Sequence, residues 1–286
     1  MREYAKAVAE IINREYEGYE AEILDVVKVN DETNTGVLLR KRGEDTNISS
    51  VHYISAFFDY GVSEKKCAED IIRNVPDRSE VKLIEKTDNE ELTWEDVKDY
   101  VTMRLVNVDY NKKYLADKIY KDLGNGFAIM YDVTRDDCKM AITHGAAKML
   151  KCDEVMLACA AQMSKAGRPI LCSLAEKLLV DEPTNYLESG DAADSQMLVL
   201  TTKDGVYGAS TIYRSGVGER IEELVGNYYM LPASLHEWII VPESADIPVE
   251  NLCSIVEGAN HTVVDRKDLL AYGVYKWTST GLEKVA

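Results

Sequence analysis

Helical and strand-like segments alternate along this chain without the regular strand–helix–strand cycle of a parallel sheet. The first helix is predicted over REYAKAVAEIINREYEG, where apolar side chains recur at helical spacing. Several strand-like segments follow before the next helix, and the sequence has no glycine fingerprint of a doubly wound sheet. The pattern therefore predicts an α+β fold, with antiparallel or mixed sheets and interleaved helices in two parts.

The division into two parts is predicted from a change in composition. Residues 1–77 have the order of a small α-β-β-β-α unit, and residues 96–286 are expected to form a larger α+β domain. The acidic segment 78–95 is interpreted as a connector, or alternatively as a helix that joins two halves of one fold. Within it, Thr93 and Asp96 have the spacing of a capping box, which predicts that a short helix begins there.

The clearest helix of the second part is predicted over CDEVMLACAAQMSKAG. Asp153 is expected to be its N-cap and Gly167 to end it. Val155, Cys159 and Met163 fall on one stripe of this helix. We expect the stripe to face the core, because methionine and cysteine are soft side chains that fill cores well.

Net charge excludes several classes of partner. The chain carries 33 Lys and Arg against 50 Asp and Glu, a net charge of −17, which repels phosphate backbones. The densest basic run, LLRKRG, is followed directly by Glu44 and Asp45 and is interpreted as a solvated hairpin. The longest apolar runs, such as WIIVP, are far below the ~20 residues of a membrane span. We therefore expect neither nucleic acid nor a membrane as partner.

The cysteines and the N-terminal segment predict a cytoplasmic protein. MREYAKAVAEII is charged and amphipathic, unlike a secretory signal. The six cysteines are scattered without a C-x-x-C pair and are interpreted as reduced core thiols. No metal site is predicted, because two close pairs or nearby histidines would be needed. No cofactor is predicted either, since the glycines do not have the order of a P-loop.

The segment NYYMLPASLHEWIIVP contains the most concentrated candidate chemistry. Ser234, His236 and Glu237 lie within four residues of it. On a strand, Ser234 and His236 would share a face but stand about 6–7 Å apart, too far for a nucleophile and its base. A turn after Pro232 could bring them together. We favour a structural role in which both hydrogen-bond to backbone, and keep a catalytic role as the alternative.

Three other polar residues are candidates of the same kind. His144 stands at the entry of a helix, where a capping role is favoured over a role as a base. Arg104 and Asn107 lie on the apolar strand VTMRLVNV and are candidates for binding an anion. The favoured alternative for Arg104 is a structural ion pair, because a buried cation needs a carboxylate partner.

Tyrosine is unusually frequent, with 17 residues against only 3 phenylalanines. A tyrosine buries a ring and keeps a polar tip, which suits binding surfaces. Tyr228 and Tyr229, with Tyr272 and Tyr275, are candidates for one shared surface. Ordinary use in the core, with hydrated hydroxyl groups, is the alternative.

An ordered series of motifs resembles a known family. The first part contains VKVNDETNTGVLLRKRGEDTNISSVHYISAFFDY and SEKKCAEDII, and the second contains RLVN, NKKYL, MAITHGAAKML, MLVLTTKDGVYGAS and YYMLPASLHEWIIVP. This series resembles a large bacterial family of unknown function, common in Gram-positive anaerobes, and a related uncharacterised family with an LP-x-S-x-HE-type motif. The resemblance implies an α+β cytosolic protein and supplies no activity.

Two hypotheses for function follow. The first is a non-catalytic cytosolic binding or regulatory module that contacts a protein partner through tyrosine-bearing strands of the second part. The alternative is a hydrolase-type enzyme centred on Ser234 and His236, aided by Arg104 or His144. An enzyme requires a pocket in which two of these groups converge, whereas a binding module requires an exposed apolar or aromatic patch.

Overall fold

The structure is a computed structural model that describes residues 1–43, 50–75, 92–135, 138–190, 192 and 197–286. The chain divides into two compact units, Met1–Glu85 and Lys86–Ala286. Most of the expected connector at 78–95 lies outside the described residues, as do Glu44 and Asp45 of the basic hairpin. Every strand pair in the described residues is antiparallel, and helices alternate with the strands, so the α+β fold is confirmed.

Helices and strands alternate along both units. The helices are α1 (Arg2–Glu15), α2 (Ser55–Asp59), α3 (Glu64–Arg73), α4 (Trp94–Val97), α5 (His144–Leu150), α6 (Glu154–Met163), α7 (Leu174–Leu179), α8 (Tyr186–Ser189), α9 (Val217–Val225) and α10 (Val249–Thr262). The strands are β1 (Tyr19–Val27), β2 (Thr33–Lys41), β3 (Ser50–Tyr53), β4 (Val101–Asn107), β5 (Tyr120–Asp122), β6 (Phe127–Arg135), β7 (Cys138–Ala141), β8 (Pro169–Ser173), β9 (Leu198–Thr202), β10 (Tyr228–Ser234), β11 (Glu237–Pro242), β12 (Tyr275–Thr278) and β13 (Gly281–Lys284).

The first unit is a three-stranded sheet, in the order β1-β2-β3, packed against α1 and α3. Its core joins the apolar stripe of α1 to the inward residues of the sheet, with Val8, Ile12 and Val37 fully buried. β2 begins at Thr33, three residues before Gly36, so this glycine lies inside the strand instead of starting it. A Cβ at Gly36 would lie 2.7 Å from Cγ1 of Val51, which explains why a residue without a side chain stands there.

The second unit contains two sheets. One has the order β13-β12-β10-β11-β9-β8, and the other has the order β4-β6-β5, with β7 also paired to β6. Three aromatic rings pack between the two sheets. The ring centre of Phe127 on β6 lies 6.3 Å from that of Trp238 on β11 and 5.4 Å from that of Tyr275 on β12. Trp238 is fully buried and donates its indole N–H to the carbonyl of Ala209 at 2.8 Å, so its polar atom is satisfied.

The edge strand β8 is closed by a side chain. Asn185 accepts a hydrogen bond from the N–H of Leu171 at 3.1 Å and donates to the carbonyl of Pro169 at 3.3 Å. The amide thus occupies donor and acceptor positions that a further strand would use. This edge is therefore poorly suited to binding a peptide by strand addition.

Most helix starts agree with their sequence signals. The capping box of Thr93 and Asp96 is present at α4, and Asp153 accepts the N–H of Met156 at 2.9 Å at the start of α6. The segment YGASTIYRSGVGERIEELVG predicts two helical pieces broken near Ser215, and the structure has a 3-10 helix over Gly208–Tyr213 before this residue and α9 after it. The strand β8, in contrast, was not expected from the sequence.

The stripe of α6 is where the prediction was wrong. Only Leu157 and Ala161 of this helix are buried, whereas Val155 is 64% exposed and Met163 is 85% exposed. Cys159, on the same stripe, is exposed as well, so it is not a core thiol. The helix ends at Met163, four residues before Gly167. The apolar stripe therefore points away from the core of its own unit.

Candidate functional site

Ser234 and His236 lie in the tight turn that joins β10 to β11. Ser234 pairs with Glu237 across the turn, after a register shift that follows Pro232. The hydroxyl of Ser234 accepts the backbone N–H of His236 at 3.0 Å. The serine is therefore engaged with the backbone of its neighbour, and no hydrogen bond to the imidazole ring is present.

The His236 ring is held by two other partners. Its Nδ1 accepts the backbone N–H of Tyr207 at 3.0 Å, which assigns the ring proton to Nε2. Nε2 lies 3.2 Å from Oδ1 of Asp268 and donates to it. Both ring nitrogens are thus occupied within the protein. An acid does stand behind the ring, as in a catalytic triad, but the nitrogen that would face a nucleophile is already used.

His144 is exposed at the first residue of α5 and does not approach this turn. The cap of α5 is Thr143, whose hydroxyl accepts the N–H of Ala146 at 3.0 Å. The capping role expected for His144 therefore belongs to the residue before it. The hydroxyl group suits this position because it accepts one of the free N–H groups of the first turn.

Arg104 is buried and forms a forked ion pair with Asp132. Its Nε and Nη2 donate to the two carboxylate oxygens at 2.9 and 2.8 Å, and its Nη1 donates to the hydroxyl of Tyr114 at 3.3 Å. Burial is the largest influence on the pKa of Arg104 and lowers it, but the charge and hydrogen bonds of Asp132, together with Tyr114 and Tyr207, outweigh burial, so the pKa lies above its usual value. The structural ion pair expected for a buried arginine is present.

Asn107 has a local role at the end of β4. Its Oδ1 accepts the backbone N–H groups of Asp109 at 2.9 Å and Tyr110 at 3.3 Å. This geometry is that of an Asx turn, in which the side chain replaces a backbone acceptor. Arg104 and Asn107 therefore do not converge on a common anion site.

Tyr207 connects the ion pair to the histidine. The guanidinium carbon of Arg104 lies 3.7 Å from the centre of its ring, and the ring of His236 stacks at 5.3 Å. Tyr207 has a left-handed backbone with φ 55°, which is uncommon for a residue with a side chain. The contacts form one series, Asp132–Arg104–Tyr207–His236–Asp268. We call it the buried polar network after its Arg104–Asp132 end, while His236 and Asp268 at the other end are half-buried. Most polar contacts of the network lie within the series, with further contacts from Arg104 to Tyr114 and from the Tyr207 ring to Lys139, which is typical of a scaffold.

Gly208 allows the chain to pack closely beside the network. A Cβ at this position would lie 2.5 Å from Cα of Thr201 and 2.6 Å from the carbonyl oxygen of His236. The 3-10 helix that begins at Gly208 therefore packs directly on two backbone segments. Gly208, the second glycine of GVYGAS in the sequence, is the residue at this close approach.

The candidate tyrosines do not form one exposed surface. Tyr228 is buried, and its hydroxyl donates to the carbonyl of Gly218 at 3.2 Å. Tyr229 is half-buried and packs against the apolar cluster of α10, with Nζ of Lys276 4.7 Å from its ring centre. Adjacent residues of a strand point to opposite faces, which separates the two rings. Tyr275 is also buried.

A groove lies at the C-terminal end of α6, in the second unit. Its volume is about 710 Å³. Its lining residues are Asp99, Tyr100, Thr134, Arg135, Met163, Ser164, Lys165 and Ala166. We call this surface the α6 groove.

The α6 groove combines an exposed apolar side chain with charges. Met163 is the most exposed large apolar residue that lines it, and the guanidinium of Arg135 lies 5.1 Å from the ring centre of Tyr100. Lys165 is exposed at the rim. The hydroxyl of Ser164 donates to the backbone carbonyl of Asp99 at 3.0 Å, which fixes the segment that follows α6 to the segment before β4.

Sequence reasoning missed this groove, although a signal for it exists. The decapeptide EVMLACAAQM of α6 is apolar on nearly all sides, yet a helix on the surface of a unit buries only one face. An all-apolar helix that ends in the basic segment SKAGR therefore indicates an apolar surface with cations at one end.

Metal-binding clusters and membrane-spanning helices are both absent from the described ranges. Nowhere in them do three or more His, Cys, Asp or Glu side chains converge as a metal-binding group. None of the helices described by the structure combines the length and the apolar character that crossing a bilayer demands.

Comparison with known proteins gives one match. A family model described as "Family of unknown function (DUF5688)" matches residues 1–279. No curated protein and no solved structure matches the chain. The expectation that the sequence belongs to a family of unknown function is confirmed at this level.

Proposed function

The chain belongs to DUF5688, a family of unknown function, and we propose that it is a non-catalytic binding module that takes an acidic, partly apolar segment of a protein partner into the α6 groove. The observation that carries this proposal is the exposure of Met163, 85% accessible, beside two cations in a groove of about 710 Å³. The α6 groove is thus a different surface from the tyrosine-bearing strands. The tyrosine rings on those strands are largely packed in the core.

The apolar stripe supports a protein partner. Met163 and Val155 lie two helical turns apart on α6, and both are more than 60% exposed, at 85% and 64%. Methionine side chains are flexible and polarisable, which suits surfaces that adapt to a peptide. An exposed apolar stripe that ends in a groove is typical of a peptide-binding surface.

Charge supports an acidic partner. Among the described lining residues of the α6 groove, Arg135 and Lys165 are cations and Asp99 is the one carboxylate, so these residues sum to +1 in a chain of net charge −17. Asp136 and Asp137, which follow Arg135 in the sequence, lie outside the described residues. The contrast between a local positive surface and an acidic chain favours an acidic ligand and steers it to this surface.

The volume of the groove suits a few side chains of a peptide better than a larger ligand. Ligand sites in proteins have volumes of roughly 300–1,000 Å³, and the value of about 710 Å³ lies within that range. The closed edge at β8 favours binding through side chains, because backbone pairing with a new strand is blocked there by Asn185.

The test uses a fluorescein-labelled peptide of glutamate and leucine, with a matched peptide in which lysine replaces glutamate. Fluorescence anisotropy at physiological ionic strength measures the affinity of the wild type, Met163→Glu and Met149→Glu. Met149 is 56% exposed on α5 and does not line the groove, so its variant adds the same charge elsewhere. We expect Met163→Glu to weaken the glutamate peptide by about tenfold, the effect of losing one interface anchor.

Two outcomes would contradict the proposal. Equal weakening by both glutamate variants would show a general charge effect, and equal groove-dependent binding of the lysine peptide would remove the acidic preference. The hydrolase alternative is tested on the same samples with a serine-reactive fluorophosphonate. Labelling of Ser234, absent in Ser234→Ala, would favour the enzyme over the binding module.

A cytoplasmic location in a bacterium, in the group of Gram-positive anaerobes suggested by the motifs, is part of the same proposal. The thiols support this location. The described cysteines that form no disulfide are Cys67, Cys152, Cys159, Cys172 and Cys253. Free thiols are typical of proteins in a reducing compartment. Fractionation of the native host, followed by immunodetection, tests this location.

A further inference from the structure

A smaller cavity lies next to the α6 groove. Its volume is about 20 Å³, enough for one group of the size of a water molecule. Thr134 lines both spaces, and Gly167, which follows the groove segment Ser164–Ala166, lines the cavity. The cavity and the groove therefore adjoin at Thr134. Its polar lining consists of Thr102, Thr134, Lys139, Asp204, Ser210 and Arg214, together with Thr202 and Tyr207.

Arg214 is the half-buried cation of this cavity, and its donors are incompletely used. Nη1 donates to the carbonyl of Ser164 at 3.1 Å, and Nη2 donates to the carbonyl of Ala166 at 2.7 Å. A guanidinium carries five N–H donors, so three remain without a partner in the described residues. No described carboxylate forms an ion pair with Arg214.

We propose that this cavity is a carboxylate-binding subsite, in which Arg214 and Lys139 receive one oxygen of a carboxylate from the ligand that lies in the α6 groove. The inference rests on the proposed function for the origin of the ligand, and on Arg214 and Lys139 for the chemistry. The carboxylate is supplied either by an acidic side chain or by the C-terminus of the peptide. Charge-assisted hydrogen bonds of this kind are the stronger ones in recognition.

The neighbouring residues leave room for such an oxygen. Gly167 has φ 62°, and a Cβ there would lie 3.6 Å from Cγ2 of Thr102 and 4.0 Å from Nη2 of Arg214, so the absent side chain leaves this side open. The hydroxyls of Thr102 and Thr134 are 2.9 Å apart, and either can donate to the other. One hydroxyl proton can therefore be redirected to an incoming oxygen.

The local charge favours an anion. Burial lowers the pKa of the Arg214 guanidinium, and the neighbouring charge of Arg168 lowers it further. A bound carboxylate would offset both effects. Asp204 is the opposing charge: it lines the cavity and lies 3.5 Å from Nζ of Lys139. The charged groups among the described lining residues, Lys139, Arg214 and Asp204, carry a net charge of +1.

A purely structural role for Arg214 is the competing explanation. Its two hydrogen bonds reach carbonyls just beyond the end of α6, where cations stabilise the helix dipole. The two roles predict different responses. A structural cap is insensitive to added carboxylate and to the charge of Asp204, whereas a binding site responds to both.

Acetate is the probe for the subsite. Two-dimensional ¹H–¹⁵N spectra of the full chain follow the arginine Nε–H signals during titration with sodium acetate, with sodium chloride keeping the ionic strength constant. The Arg214 signal is assigned by its loss in Arg214→Lys. We expect this signal to shift and to saturate, and Asp204→Asn to tighten acetate binding several-fold, because the opposing charge is removed. An Arg214 signal that does not move with acetate, or an unchanged response in Asp204→Asn, would overturn the subsite.

The glutamate–leucine peptide then connects the subsite to the α6 groove. We expect Arg214→Gln to weaken the peptide about tenfold and Arg220→Gln to leave it unchanged. Arg220 is a matched control because it lies on α9 and pairs with Glu223 at 2.7 Å, away from the cavity. Peptides with a free or an amidated C-terminus, and with glutamate or glutamine side chains, show which carboxylate is read.

The failures of the two proposals are distinguishable. If acetate shifts the Arg214 signal and the peptide does not bind, the subsite stands and the proposed function fails. If the peptide binds through Met163 with equal affinity in Arg214→Gln and Arg220→Gln, the proposed function stands and the subsite fails. Lys139→Met provides a second variant in the lining of the cavity, because Arg214→Gln also removes the hydrogen bonds to the segment that follows α6.

Discussion

The buried polar network and the α6 groove contain the same kinds of side chain in opposite states. In the network, Arg104 places its guanidinium on both oxygens of Asp132, and both residues are about 95% or more buried, at 5% and 1% exposure. Near the groove, Arg214 uses two of its five donors within the part of the chain that the structure describes, and both go to backbone carbonyls. A paired buried charge stabilises a fold, whereas an incompletely paired one is available to a ligand.

The same contrast separates the histidine from the methionine. His236 has the residue type and the acidic neighbour of a catalytic base, but the N–H of Tyr207 occupies its second nitrogen. Met163 has no chemistry of its own, yet it is 85% exposed at the edge of a groove. In this pair of regions, the residue with the reactive group is held within the scaffold, and the less reactive residue lies on the open surface. Substitutions in the two regions test this division.

The largest expected effect is at the ion pair. Asp132→Asn keeps the shape of the side chain and leaves the charge of Arg104 buried without a counter-ion. We expect the free energy of unfolding to fall by about 3–5 kcal/mol, the cost of breaking a buried pair from one side. Urea denaturation followed by tryptophan fluorescence measures it. The control is Glu223→Gln, which breaks the exposed pair with Arg220 and should cost at most about 1 kcal/mol. Similar costs for the two variants would contradict a scaffold role for the network.

A smaller loss is expected where the 3-10 helix packs on the network. Gly208→Ala places a Cβ within 2.5 Å of the backbone at Thr201 and within 2.6 Å of the carbonyl of His236. We expect a cost of about 1–3 kcal/mol, because two backbone segments must move apart. Gly258→Ala is the control, since nothing lies within 4 Å of a Cβ there and alanine favours a helix. Thermal unfolding of both variants makes the comparison, and an unchanged melting temperature for Gly208→Ala would show that the close approach is not needed.

The fold could be predicted where local signals decide it. The capping box at Thr93 and the cap at Asp153 depend on residues three positions apart, and the structure has both. The hairpin of β10 and β11 also follows from a local alternation of apolar residues. The strand β8 was missed because it is short, starts with Pro169 and relies on pairing with β9, which is distant in sequence.

The sites could be predicted less well, because they depend on register and on the choice of a buried face. Arg104 pairs in register with Met130, and only this alignment places Asp132 diagonally across from it on the same face. No local pattern selects that carboxylate from the many in the chain. The face of α6 was assigned wrongly because the helix is apolar on several sides, so that its periodicity does not identify the buried one.

The turn between β10 and β11 offers an intermediate test. Ser234→Ala removes the acceptor of the His236 N–H, and we expect a loss of about 0.5–1.5 kcal/mol in the free energy of unfolding, the worth of one hydrogen bond. Binding of the glutamate–leucine peptide should be unchanged, since Ser234 does not line the α6 groove. A stable Ser234→Ala protein that loses a hydrolytic activity present in the wild type would contradict the assignment of Ser234 to the scaffold.

The smallest effect on stability, with the largest on binding, is expected at Met163. Because 85% of this residue is exposed, Met163→Glu should change the free energy of unfolding by no more than about 0.5 kcal/mol. Leu157→Ala, on the buried face of the same helix, should instead cost about 2–5 kcal/mol, because it leaves a cavity. Urea denaturation of the two variants therefore reports which face of α6 belongs to the core. A large loss of stability in Met163→Glu would mean that the stripe is covered in the folded protein, and it would remove the surface on which the proposed binding depends.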